Sequence, residues 1–351
     1  MKSMLKTNAA LSLICLFTLP FSAISLDKEE YSKSYSKSYE TSENVRVEIS
    51  NKYGNVDVIS SDNKQVSIEV KVSVEASSDS KGKELLEDIL IEITGNSERV
   101  SASTTFKPKS NFKNLQIDYL VKIPKNAELK LMNKFGDVVL NQLSGPTNIA
   151  VEYGAFRSGN LNNTKNKISI GFGQCSIAYA THLNLTLKYS DKTYITKAKL
   201  LNLNSQFSEI TIGAVGRLNI TSAYDELELT AAAEMLGSLK FTEAEINTIT
   251  DKIDVDAQYG GFEVEQVSEK FSLFDVSLKF CDAQFNFHQN STYSIEGRVN
   301  FGDIDFDKEH MLVSQKEDHT SISFNGNAKN GAGNSRVIIN SSYGDIELDT
   351  Y

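Results

Sequence analysis

The sequence predicts an all-β fold in which short coils stack in parallel, a parallel β-helix or closely related β-solenoid. Three observations predict it. First, a motif centred on one aromatic recurs at Tyr53 and then at Phe135, Tyr153, Phe172, Tyr189, Phe207, Tyr224, Phe241, Tyr259, Phe280, Phe301 and Tyr343. From Phe135 to Tyr259 the steps are 17 to 19 residues, the next two are 21, and the last is 42, read as twice 21 with a degenerate copy between. A fixed period of this size marks units that bury an apolar face only against a neighbouring copy. Second, apolar residues alternate before the aromatic, as in Leu129 and Leu131, Ile149 and Val151, or Leu185 and Leu187. Period two is a strand with one face buried. Third, the phase slips by one residue after the aromatic, so the buried pair becomes Val56 and Val58, Val138 and Leu140, or Ile346 and Leu348.

A slip of one residue needs a kink, and the residue after the aromatic is usually glycine, as at Gly54, Gly136, Gly154, Gly260 and Gly344. Glycine relieves the steric cost of a corner where φ can be positive. Each coil of roughly 18–21 residues therefore reads as strand, corner, strand and polar turn. Phe135 reads as core together with Val138 and Leu140. Ser158 and Lys192 at expected buried positions, and Ser190, Ser208, Asp225 and Cys281 in place of the corner glycine, mark local irregularities.

Residues 1–25 read as a signal peptide. Lys2 and Lys6 precede an apolar run at 11–19, and Ala23-Ile24-Ser25 forms a small-residue exit. The run is too short for a transmembrane helix, and Cys15 lacks the context of a lipidated cysteine. No later run is long enough to span a bilayer, so the chain is expected to be exported to the periplasm, outer surface or medium without crossing the membrane.

Residues 26–126 read as N-terminal strands and a cap. YSKSYSKSYE is a solvated linker or a polar strand with Tyr31, Tyr35 and Tyr39 on one parity. Its lysines are too few to hold nucleic acid against a net charge of −10. The strands VRVEIS and VDVIS flank Tyr53-Gly54, and QVSIEVKVSVEA alternates cleanly. Leu85, Leu86, Ile89 and Leu90 then fall at helical spacing behind capping serines and an aspartate. That helix is expected to cover the first coil, whose unpaired edge would recruit another chain. A strand around 117–123 ends at Pro124. Residues 127–351 carry the regular coils, with no proline inside their strands. The last strand has no obvious cap after it, so this C-terminal edge is the expected place for self-association.

The order VEISNKYGNVDV, a short helix, YLVKIPKNAELKLMNKFGDVVL and then Tyr-Gly-Asp-Ile-type repeats ending in SSYGDIEL resembles a family of secreted bacterial putative adhesins, mostly of unknown function. The resemblance covers nearly all of the mature chain. It implies a β-solenoid exposed outside the cytoplasm and brings no catalytic residues.

Candidate sites are sparse. Cys175 and Cys281 lie about six coils apart, roughly 29 Å at ~4.8 Å per strand, far beyond the ~7 Å a disulfide spans. Cys175 is expected as a buried thiol. His182, His288, His310 and His319 have no partners at metal-ligand spacing, and GAGNS at 331–335 lacks the strand and helix of a phosphate loop. The most site-like feature is a column of outward residues two after each aromatic: Asn55, Asp137, Ala155, Gln174, Asp191, Glu209, Glu226, Gly261, Asp282, Asp303 and Asp345. Stacked in register, Asp191, Glu209 and Glu226 could share a Ca²⁺. The competing reading is that such residues bond the local backbone. An unchanged melting temperature at millimolar Ca²⁺ would remove the calcium site. An outer-membrane barrel is disfavoured because strands of ~5 to 7 residues fall short of the ~9 to 11 a membrane strand needs. The expected function is a secreted or cell-envelope protein of adhesin type, presenting an extended surface to a glycan or protein without catalysis or cofactor. The alternative is a polysaccharide-active β-helix enzyme, which requires carboxylates clustered with basic residues in a cleft.

Overall fold

The structure, a computed structural model, describes residues 29–108 and 111–351. The expected signal peptide at 1–25, with Cys15, lies outside the described residues. The N-terminal part runs β1 (Glu29–Glu40), β2 (Arg46–Lys52), β3 (Val56–Ser61), β4 (Gln65–Ala76), α1 (Asp79–Glu87), β5 (Ile89–Gly95), β6 (Arg99–Phe106) and β7 (Gln116–Pro124). Short strands follow as β8 (Glu128–Lys134), β9 (Val138–Leu143), β10 (Thr147–Glu152), β11 (Ala155–Leu161) and β12 (Asn166–Gly171). Longer ones follow: β13 (Gln174–Lys188), β14 (Thr193–Gln206), β15 (Glu209–Ala223) and β16 (Glu226–Lys240) each run from one corner to the next, and β17 (Glu243–Val267) and β18 (Leu273–Phe287) continue through a corner. Last come β19 (Tyr293–Asn300), β20 (Ile304–Phe306), β21 (Met311–Asp318), β22 (Ser321–Ala328), β23 (Ser335–Ser342) and β24 (Ile346–Thr350). The chain is thus all-β with one helix among the described residues, its strands joined in one large sheet.

Successive coils pair in parallel and set like over like. In β14 and β15, Ile195 lies opposite Ile212 and Leu203 opposite Ile220. In β15 and β16, Ile210 lies opposite Leu227. The alternating apolar residues of both strands in a coil therefore fill one continuous interior. Each fully buried Leu or Ile contributes roughly 1.5–3 kcal/mol of transfer free energy, and only because the coils above and below exclude water from it.

The corner differs from expectation in which residue takes the unusual conformation. All twelve aromatic anchors have φ between 50° and 66°, and Gly136 is not among the positive-φ residues. Gly136 is required by close approach instead: a Cβ there would lie 2.1 Å from the carbonyl oxygen of Gly54 in the adjoining coil. The left-handed turn also swings the ring outward. Phe135 is 40% exposed and Phe301 56%, so the aromatics are not core. Lys192 is a second correction. It is exposed at φ 56°, an extra residue bulged from its corner, and Thr193 takes the buried place.

The coils follow one another in space as in sequence only as far as β18. The final coil, β23 and β24, is inserted between its predecessors: β23 pairs with β18 on one side and β19 on the other, and β24 likewise with β18 and β20. The 42-residue step holds no degenerate copy. Its residues form the antiparallel hairpin β21–β22, and β22 runs antiparallel along β19. The strand expected to offer a free C-terminal edge is therefore interior, and the end of the stack carries the hairpin. At the other end, β5 pairs antiparallel with β6, which lies on β2. There β1, β4 and β7 also pair antiparallel in turn, with β7 on β3. The YSKSYSKSYE stretch is thus a strand, with Tyr31, Tyr35 and Tyr39 packed on the core. Helix α1 is capped by Ser78, whose hydroxyl accepts from the Lys81 N–H, and it buries Leu85 and Leu86 against β4 and β1. Ile89 and Leu90 belong to β5 instead.

Candidate functional site

Because each coil turns at an aromatic in the left-handed conformation and coils repeat at the strand spacing, the twelve rings are brought into one file. Neighbouring centroids lie 4.6–5.2 Å apart with interplanar angles of 0–12°. The backbone ladder continues through the corner. The Tyr189 N–H donates to the Gln206 carbonyl at 3.0 Å, and the Phe207 N–H to Ala223 at 3.1 Å. Tyr343 stacks between Phe280 and Phe301, at 4.6 and 4.9 Å. In space the file therefore alternates Tyr and Phe without a break from Tyr53 to Phe301, an order the sequence breaks at its last two anchors. The rings lie face to face, so edges and tyrosine hydroxyls, rather than faces, meet solvent.

Behind the rings runs a buried polar row where the corner residue is not glycine. The Ser190 hydroxyl donates to the Gly173 carbonyl at 2.9 Å. The Ser208 N–H donates to Asp225 Oδ1 at 2.8 Å, and the Ser222 hydroxyl to Asp225 Oδ2 at 2.6 Å. Thr242 lies 3.0 Å from the Ser222 hydroxyl. Burial pushes the Asp225 carboxyl above its usual range, against the pull of these donors. The Ser190, Ser208, Ser222 and Thr242 hydroxyls and the Asp225 carboxylate are thus bonded to one another or to backbone.

In front of the rings stands the column of residues two places on. Asp137 accepts the Ala155 N–H at 2.8 Å and meets the Arg157 guanidinium at 3.0 Å. Burial works against its charge, but these donors outweigh it and hold the carboxyl below the ordinary range. Asp282 accepts from the Asp345 N–H, and Asp345 from the Asp303 N–H, both at 2.9 Å. Asp137, Asp282 and Asp345 thus bond backbone of the adjoining coil, whereas Asp303 accepts the Ile304 N–H of its own turn at 2.8 Å. Glu209 and Glu226 are register partners, as are Glu226 and Glu243. Glu243 belongs to the column although the sequence reading passed over it. Asp191, Glu209 and Glu226 share one shallow groove with Tyr189, Phe207 and Tyr224. Among the described residues no group of three or more His, Cys, Asp or Glu is arranged to hold a metal ion.

No family model matches the chain, and no curated protein matches it by sequence. Among solved structures, it aligns with a putative lipid binding protein from Parabacteroides distasonis at 10% identity and a TM-score of 0.36, over 90% of this chain and 96% of that one. A putative adhesin from the same organism aligns at 12% identity and a TM-score of 0.34, over 75% and 94%. A putative adhesin from Bacteroides fragilis aligns at 12% and 0.30, over 90% and 97%. At TM-scores this low, function is read from this chain's own residues.

The remaining chemistry is dispersed. Cys175 and Cys281 are free and buried, and burial pushes each thiol up to about 12, helped at Cys281 by the Glu243 and Asp282 charges. His310 Nδ1 meets Asp307 at 2.8 Å and the Thr350 hydroxyl at 3.0 Å, a cluster the sequence reading missed because Thr350 lies 40 residues from His310. Both partners share one ring nitrogen, so the cluster ties β24 to the loop after β20 and does not form a nucleophile–base relay. One groove is lined by carboxylates, including Glu243, Glu263, Asp282 and Asp345, and by no basic side chain. On the opposite side of the corner Asn219 donates to Asn202 at 2.7 Å and Asn202 to Asn184 at 2.9 Å, an uncharged ladder.

Proposed function

We propose that this chain is a β-solenoid of adhesin type, exported to the cell envelope or beyond, whose outer faces bind an envelope or surface component without catalysis. In this reading residues 127–351, with the Tyr53 coil, form the solenoid, and the remaining N-terminal strands and α1 form its cap. The observation that carries it is the file of rings, half exposed over about 54 Å. Contiguous apolar exposure on that scale marks an interaction surface. A purified mature chain applied to glycan and envelope-protein arrays is expected to bind a discrete set of targets. A Tyr189→Ser/Phe207→Ser/Tyr224→Ser variant is expected to lose them. Unchanged binding by the variant removes the rings from the surface, and release of sugars from any polysaccharide removes the non-catalytic reading.

A further inference from the structure

The ring file is flanked by two columns of opposite character, and their levels match. The residue just before the ring is lysine at five levels: Lys52, Lys134, Lys188, Lys240 and Lys279. At the same levels, the residue two after the ring is Asn55, Asp137, Asp191, Glu243 and Asp282. Four of the five lysines thus share a level with an acid across the ring. The one acid in the lysine column, Glu152, shares its level with uncharged Ala155. The lysines reach the rings: the Lys52 ammonium lies 4.7 Å from the Tyr53 centroid, Lys134 lies 5.6 Å from Tyr153, and Lys279 lies 5.9 Å from Phe280.

We propose that the partner on this surface is a second copy of the chain, docked ring file to ring file with the two stacks parallel about a two-fold axis along the file. The inference rests on the file being a binding surface and names what occupies it. Spacing argues for it, because only a partner with the same strand repeat stays in step over twelve levels. Symmetry and charge fix the orientation. Rotation about an axis along the file keeps every level and exchanges the flanks, so Lys188, Lys240 and Lys279 meet Asp191, Glu243 and Asp282 of the other copy, while Lys134 and Asp137 keep Glu152 and Arg157 within each copy. Rotation about an axis across the file reverses the levels and sets acid column against acid column, which like-charge repulsion opposes. The parallel pair also sets Tyr against Tyr, hydroxyl to hydroxyl, and Phe against Phe in an isologous contact. A contact about 54 Å long and one or two side chains wide buries on the order of 1,000 Å² in total, the lower edge for a specific interface. The expected dimer is therefore micromolar and weakened by salt.

Sedimentation velocity of the full mature chain tests it across the micromolar range at low and high salt. A dimer that dissociates with salt is expected. Lys188→Glu and Asp191→Lys should each weaken it by about tenfold, and the Lys188→Glu/Asp191→Lys double variant should restore it, because a level swapped in both columns pairs again. Tyr224→Cys should form an intermolecular disulfide with its own counterpart, with the buried Cys175 and Cys281 not competing. Circular dichroism of each variant separates lost pairing from lost folding. A monomer at every concentration overturns the proposal, as does a double variant no better than the singles or a crosslink only between Tyr53→Cys and Phe301→Cys. If the chain is monomeric yet loses array targets with the triple serine variant, the self-pairing fails while the adhesin reading stands.

Discussion

Phe135 shows how far parity carries and where it stops. Leu129 and Leu131 face inward, and extrapolating by two places Asn133 and then Phe135 inward as well. Asn133 does turn in, where its amide donates to the Gly54 and Gly136 carbonyls at 3.0 and 2.9 Å. Phe135 does not, because a left-handed residue reverses its side chain relative to the strand, and no periodicity in the sequence encodes that single dihedral. A non-glycine residue in this conformation costs of order 1–3 kcal/mol, offset here by ring stacking with both neighbours. Cys175 was legible, since it stands where other copies carry Val or Ile. Its thiol has an unfolded value of 9.0 and a folded value of about 12. The folded state holds the proton longer, so stability is full below pH 9 and falls as pH rises towards 12. Urea melts of Cys175→Val are expected to show a shallower alkaline decline. The native chain should release no thiol signal from Cys175 or Cys281 to a disulfide reagent near neutral pH, and both on denaturation.

At the scale of the element, the corner glycines were found correctly for an incomplete reason. Their need is contact between coils, which for Gly136 depends on Gly54, 82 residues away in sequence, and cannot be seen in one copy. Gly136→Ala is expected to cost more than ~3 kcal/mol, because its Cβ meets backbone of the next coil at 2.1 Å. Gly171→Ala, whose Cβ would lie 3.8 Å from a Glu152 side-chain carbon, is expected to be within ~0.5 kcal/mol of neutral. Denaturant titration of the pair measures the difference. The acid column carries strain of another kind. Glu209, Glu226 and Glu243 are register neighbours, and like charges directly opposite destabilise a sheet. Glu226→Gln should raise the melting temperature, and by more at low salt than at high.

For the whole molecule, the repeat and its parallel stacking were legible because each copy restates them. Coil order was not, since β23 and β24 carry the same motif wherever they insert. The alternation of Tyr and Phe was a clue: it fails at Phe301 in sequence and is restored once Tyr343 sits before it in space. Removing residues 335–351 is expected to unseat two coils rather than trim one, because β18 and β19 then lose their shared partner. A soluble, cooperatively melting product of that deletion would contradict the arrangement.

That insertion also bears on the sequence of events during synthesis. A chain emerging from its amino terminus can lay down each coil on the last as far as β18, but the β19–β20 coil has no resting place until a later segment arrives to lie beneath it. The hairpin that ends the stack waits with it. The β23–β24 coil is in this sense a keystone, and a chain interrupted before it keeps an open slot, with bare strand edges on both sides, that chaperones and proteases can recognise.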